Sequence, residues 1–82
     1  MRLQPTLRLY RYRLNRLRLG EPLKREDAIA ILEARSKIAL ICQTHSPNRW
    51  QKWQLWWGDR HLKGWSDSIV ATVDLAAERR RR

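Results

Sequence analysis

The stretch RWQKWQLWWGDRHLKGW, residues 49–65, decides the fold expected for this chain, because it contains all five of its tryptophans. Gly58-Asp59 matches a two-residue type II′ turn, in which glycine takes the first central position. A hairpin about this turn places Trp57 opposite Arg60. The sequence therefore predicts two antiparallel strands here.

The predicted hairpin has two different faces, because opposed residues of antiparallel strands share a face. The apolar face, expected in the core, comprises Trp53, Leu55, Trp57 and Leu62. The other face combines aromatic rings with cations: Trp50, Lys52, Gln54, Trp56, His61, Lys63 and Trp65. Nucleic-acid bases stack on such rings at about 1–3 kcal/mol per base, while nearby cations hold the phosphates. The alternative is that another element covers this face and the lysine side chains reach solvent at its edge.

Two patterns compete in residues 1–19. Apolar residues recur there at the spacing of one helix face: Leu3, Leu7, Tyr10, Leu14 and Leu17. Leucine and tyrosine also alternate with arginine, as in a strand, although the alternation changes phase between Leu9 and Tyr10. We expect a strand, either bent or folded into a hairpin about Asn15, in preference to a helix.

The next part of the chain predicts a helix followed by a strand. Gly20-Glu21-Pro22 marks a break, and residues 23–36 carry acids early and bases late, as the helix dipole favours. The expected buried face of this helix is Leu23, Ala30, Ile31, Ala34 and Ile38. Residues 38–44 are short and apolar and end at the turn cluster of residues 46–48, so they predict a strand.

A closing helix is predicted after Ser66 or Asp67, either of which can cap it. Its expected apolar face is Ile69, Val70, Val73, Ala76 and Ala77. The β-branched residues at its start would also suit a strand. The predicted fold class is therefore α+β, with an antiparallel sheet of three to four strands packed with two helices in the order β-α-β-β-β-α. Residues 1–19 are an arginine-rich strand or arm, residues 20–78 one small domain, and residues 79–82 an arginine tail.

The predicted order helix–strand–strand–strand–helix resembles that of double-stranded-RNA-binding domains. Those domains place lysines at the start of the final helix, where this chain has Ser66, Asp67 and Ser68. The last three strands and helix are also similar to DNA-binding modules that lay a three-stranded sheet in the major groove. Both resemblances concern the topology of the predicted elements alone, and a fold does not by itself give a function.

The net charge of +10 comes entirely from the two ends of the sequence. Residues 1–19 contain six arginines and no acid, and residues 79–82 are four arginines. Residues 20–78 contain eight basic and eight acidic side chains and are neutral. Arginine binds phosphate and carboxylate through its planar fork, so we expect an anionic partner.

Nucleic acid, either DNA or RNA, is the expected partner, with the arginines on its phosphates and the hairpin face on its bases or grooves. The predicted contacts are Arg8, Arg11, Arg13, Arg16, Arg18, Trp50, Lys52, Trp56, Arg60, His61, Lys63, Trp65, Arg79 and Arg80. One alternative is an adaptor or inhibitor that binds an acidic surface of a protein. Another is an anionic membrane surface or a targeting segment. The expected location is cytoplasmic or nucleoid-associated.

Several classes of protein are not expected. No apolar run exceeds five residues, too few for a transmembrane helix, and one cysteine cannot form an internal disulfide. Cys42, His45 and His61 offer three ligands where a structural zinc site takes four, and Cys42 suits a buried apolar position. No phosphate loop or dinucleotide motif occurs. We therefore expect a non-enzymatic protein without a metal or cofactor.

Overall fold

The computed structural model describes the main chain of residues 2–81 and the side chains of residues 2–74. Over these residues the chain forms three helices: α1, Leu3–Arg18; α2, Arg25–Thr44; and α3, Arg49–Arg81. Short turns make α1 and α2 antiparallel, and α3 runs parallel to α1. The predicted α+β class is wrong, because residues 2–81 contain no strand.

Helix α1 replaces the strand that we expected for residues 1–19. The five residues of the helical pattern are all buried: Leu3, Leu7, Tyr10, Leu14 and Leu17. A strand would direct Tyr10 and Leu14 to the opposite face from the three leucines at odd-numbered positions, because strand side chains alternate. Only the helix buries all five together, so the phase change in the alternation was the signature of a helix.

The break predicted at residues 20–22 is confirmed, and a Schellman motif ends α1 there. Gly20 has a φ of 92° and donates its N–H to the carbonyl of Leu17, while Glu21 donates to that of Arg16. A left-handed residue at this position favours glycine. The chain then turns back into α2.

Helix α2 begins near the predicted position but extends further, so the strand predicted for residues 38–44 is wrong. Its buried residues are Ala28, Ile31, Ala34, Ile38 and Ile41. Ile38 and Ile41 continue the stripe of the predicted helix, and their burial favours one helix as far as Thr44. The turn cluster after this helix is confirmed at residues 45–48.

Helix α3 is continuous where we predicted a hairpin and a separate closing helix. The hairpin is wrong, whereas the closing residues are helical as predicted but continue α3 and form no separate helix. Asn48 caps the start of α3: its Oδ1 accepts the N–H of Gln51 at 2.9 Å, and Gln51 Oε1 accepts that of Asn48 at 3.0 Å. This reciprocal pair is a capping box. Ser66 and Asp67 lie inside α3 and start no helix. The two topological resemblances depended on the sheet and are therefore wrong as well.

The core-facing stripe of α3 differs from the predicted apolar face. It follows helical spacing and consists of Gln54, Gly58, Leu62, Trp65 and Ile69. Gln54, which we predicted on the outer face of a hairpin, is buried, whereas Trp53 is exposed. In the predicted closing helix, Ile69 is buried and Val73 packs on the core, but Val70 is exposed. Ala76 and Ala77 lie outside the described side chains.

Two contacts, one polar and one apolar, fix the register of α1 on α3. Gln4 and Gln54 exchange amide hydrogen bonds of 3.3 and 3.2 Å, which satisfies the buried Gln54. Further along, the ring of Tyr10 lies against Gly58, where an added Cβ would be 2.5 Å from Tyr10 Cε2. The absence of a side chain at residue 58 is therefore what lets Tyr10 be fully buried between the helices.

We expect alanine at the two glycines within α3 to change stability in opposite directions. Gly58→Ala should lower the free energy of unfolding by about 1–2 kcal/mol, because overpacking outweighs the gain in helix propensity. Gly64 has nothing within 4 Å of an added Cβ, so Gly64→Ala should raise stability by about 0.5–1 kcal/mol. Urea unfolding followed by far-UV circular dichroism measures both. Equal effects would contradict the packing of Tyr10 on Gly58.

Candidate functional site

Within residues 2–74, whose side chains the structure describes, three arginines pair with carboxylates. Arg13 Nη1 lies 2.6 Å from Asp27 Oδ1, and Arg16 pairs with Glu21 and lies 3.9 Å from Asp27. Arg35 of α2 pairs with an aspartate of α3. Arg13 and Arg16 were predicted to contact phosphate; in the structure both form ion pairs with acids of the turn and of α2.

The other predicted arginines of α1 line a cleft between α1 and α3. The cleft has a volume of about 450 Å³, within the range of small-molecule sites. Its lining residues are Arg8, Arg11, Tyr12, Asn15, Arg18 and Trp57. No carboxylate lines it. Arg8 and Arg18 are exposed, and Arg18 Nε donates to Asn15 Oδ1 at 3.2 Å.

Arg11 is held among indole rings. Its Cζ lies 5.7, 5.2 and 5.5 Å from the ring centroids of Trp50, Trp53 and Trp57, within cation–π range. Nη1 donates a long hydrogen bond of 3.4 Å to Gln54 Oε1, and Nε has no partner. Nε is buried, so an anion in the cleft would bind the N–H groups of the two Nη atoms of Arg11.

The exposed surface of α3 carries further cations and aromatic rings. Arg49, Lys52, Trp53, Trp56, Arg60 and Lys63 recur at helical spacing and are all exposed. The Arg60 guanidinium stacks over Trp56 at 5.5 Å. These residues, together with Trp50 and with Arg8, Arg11 and Arg18 of α1, form the basic–aromatic face. Helical spacing groups the α3 residues, and the contacts of Arg11 with Trp50 and Trp53 join them to the arginines of the cleft. The hairpin on which several of them were first predicted to lie is absent from the described residues.

The single acid within residues 49–66, Asp59, is held by side chains of α1 and α2. Tyr10 Oη donates to its Oδ1 at 2.8 Å, and Arg35 donates to both of its oxygens at 2.9 and 3.3 Å. Burial of the phenol, and then its bond to Asp59, raise the pKa of Tyr10 well above the usual tyrosine value. Arg35 thus balances the charge of Asp59 on the α2 side of the bundle.

Some predicted site residues lie elsewhere. Trp65 packs on the core. His61 does not line the cleft: its ring is tilted against Trp57 with centroids 4.1 Å apart, and Nδ1 is 2.8 Å from the Trp57 carbonyl oxygen. Arg79 and Arg80 belong to α3, but their side chains lie outside the described part of the chain.

The sequence reasoning missed five residues of this region: Tyr12, Asn15, Arg49, Trp53 and Trp57. Arg49 was not considered, and Trp53 and Trp57 were placed in the core of a hairpin. A helical projection of residues 49–65 would have grouped Arg49 and Trp53 with Trp56 and Arg60, because these positions recur every three or four residues.

Other parts of the described structure contain fewer side chains that could bind a ligand or a metal. A cleft of about 620 Å³ lies at the opposite end of α1, beside Pro5, His45 and Gln51, and Arg2 is the arginine that lines it. The described residues contain no group of three possible metal ligands, and Cys42 is half-buried on α2. None of the three helices, where described, combines the length and apolarity needed to cross a membrane.

Comparisons with protein-family models, with curated proteins and with solved structures found no match to this chain. Its function is therefore inferred from the arrangement of its side chains.

The raised pKa of Tyr10 predicts a specific pH dependence of stability. Above a pH of about 10 the unfolded chain releases the phenolic proton while the folded chain keeps it, so this contribution falls as pH rises. Tyr10→Phe should cost about 1–2 kcal/mol at about pH 8, because the bond to a carboxylate is lost. The difference between the two proteins should shrink by about pH 11. Urea unfolding at both pH values measures it, and a constant difference would contradict the bond to Asp59.

Proposed function

We propose that this protein binds nucleic acid, without catalysis, through the basic–aromatic face. The observation that carries the proposal is the separation of charge between helices. Helix α1 has five arginines and no acid, whereas α2 has three basic and three acidic residues. The carboxylates of the turn and of α2 form ion pairs with Arg13 and Arg16. The other arginines of α1, Arg8, Arg11 and Arg18, line the cleft.

Such a face suits a phosphate backbone for two physical reasons. Several cations on one surface release the counterions condensed on a nucleic acid, which favours binding at low salt. Guanidinium groups also bind phosphate oxygens in pairs, and Arg11 is already positioned by its indole neighbours. The exposed rings of Trp53 and Trp56 then provide surfaces for bases or sugars.

An acidic surface of a protein could satisfy the same arginines and is the alternative. The two ligands differ in how affinity depends on salt. A nucleic acid that contacts about six phosphates should give a log–log slope near −5 on duplex DNA.

The four lysines of the chain provide a matched test, because all are exposed, two of them on α3 and two at the N-cap and in the body of α2. Lys52→Gln with Lys63→Gln removes two charges from the basic–aromatic face. Lys24→Gln with Lys37→Gln removes two charges from the N-cap and body of α2. The first pair should reduce the magnitude of the salt slope by about 1.4–1.8 and weaken binding, since each phosphate contributes about 0.7–0.9. The second pair should leave the slope unchanged.

Fluorescence anisotropy with a labelled oligonucleotide, over a series of salt concentrations, measures both variants. Equal effects of the two double lysine variants on the salt slope would mean that the phosphates do not contact the basic–aromatic face. No binding of the unmodified protein at low salt would overturn the proposal, and recovery of one acidic protein by affinity capture would then favour the alternative.

A further inference from the structure

Two tryptophans of the basic–aromatic face form an open stacking surface. Trp50 and Trp53 stack on each other with ring centroids 5.2 Å apart and an interplanar angle of 11°. They remain 55% and 43% exposed. Large aromatic rings left in water in this way are typical of binding sites.

The stacking surface is continuous with the arginine cleft. Arg11 lines the cleft and also lies over both Trp50 and Trp53. Phosphates held by Arg8, Arg11 and Arg18 would therefore place the attached bases beside the indoles. The neighbouring exposed residues on α3 include Arg49 and Lys52, so cations surround the rings where an apolar protein partner would need apolar contacts.

From this arrangement, and resting on the proposed function, we infer that the ligand is a single-stranded nucleic acid. Its phosphates occupy the cleft between α1 and α3, and its unpaired bases stack on Trp50 and Trp53. A duplex already uses the faces of its bases for stacking within itself, so it cannot offer them to an indole except at its ends. Single strands offer every base, which makes stacking on aromatic side chains their usual mode of recognition.

Three ligands with the same backbone chemistry separate stacking from charge. They are a single-stranded DNA of about 12 nucleotides, the duplex of the same sequence, and an abasic strand of the same length. The full chain should bind the single strand at least about tenfold more tightly than the abasic strand, equivalent to about 1.4 kcal/mol. The single strand should also quench tryptophan fluorescence more than the duplex does.

The variant Trp50→Leu with Trp53→Leu removes the aromatic surface but keeps apolar side chains at exposed positions. Circular dichroism should show that it stays folded. It should bind the single strand about tenfold more weakly and the abasic strand as before. Leu40→Ala, which truncates an exposed residue of α2, is the control and should leave all affinities unchanged.

Three results would overturn the inference. Duplex and single strand could bind equally, or the base-containing strand could bind no better than the abasic one; phosphate contacts alone would then explain binding. The tryptophan variant could also weaken all ligands equally, which would mean that the indoles act by positioning Arg11. In each of these cases the proposed function would stand. Failure of every ligand to bind at low salt would overturn the proposed function and this inference together.

Discussion

The close packing of the Tyr10 ring on Gly58 is the contact on which the rest of the structure depends. It lets α1 and α3 approach with a fully buried aromatic ring between them. It also places the Tyr10 hydroxyl on Asp59, whose carboxylate is held from the other side by Arg35. One contact between two helices thus links all three, because side chains of α1 and α2 both hold the single acid of residues 49–66.

The position of the acids explains why one side of the bundle is strongly basic. The acids of the turn and of α2 reach Arg13 and Arg16, which lie on the side of α1 that faces them. Arg8, Arg11 and Arg18 line the cleft between α1 and α3, where α3 contributes Trp57, and Arg11 also contacts Trp50 and Trp53. The arginines of α1 therefore form two groups. Arg13 and Arg16 are paired with carboxylates, whereas Arg8, Arg11 and Arg18 line the cleft, where an anion could reach them.

The sequence contained the signals for two of the three helices, and the third was obscured. For α1 the stripe from Leu3 to Leu17 has helical spacing, and for α2 the acids and bases of residues 23–36 follow the helix dipole. For α3 the clear signal was the capping box of Asn48 and Gln51 at its start. The stripe of α3 itself places Gln54 and Gly58 where apolar residues are expected. Glycine followed by aspartate also matches a hairpin turn, so local chemistry favoured a strand pair. The amide of Gln4 and the ring of Tyr10 make those two positions suitable for a core, and both belong to another helix.

By itself, the sequence determined the breaks at residues 20–22 and 46–48, and the absence of acids from residues 1–19, because turn residues and charge are local properties. The candidate site was only partly predictable: arginines were expected to act together with Trp50, Lys52, Trp56, Arg60 and Lys63, but on a hairpin face that the described residues do not form, and their role in binding stays a prediction. Tertiary structure alone decided which arginines are paired and which tryptophans are exposed. Those outcomes depend on the angle at which each residue leaves its helix and on which neighbouring helix it meets, and neither is encoded within the segment that carries the residue.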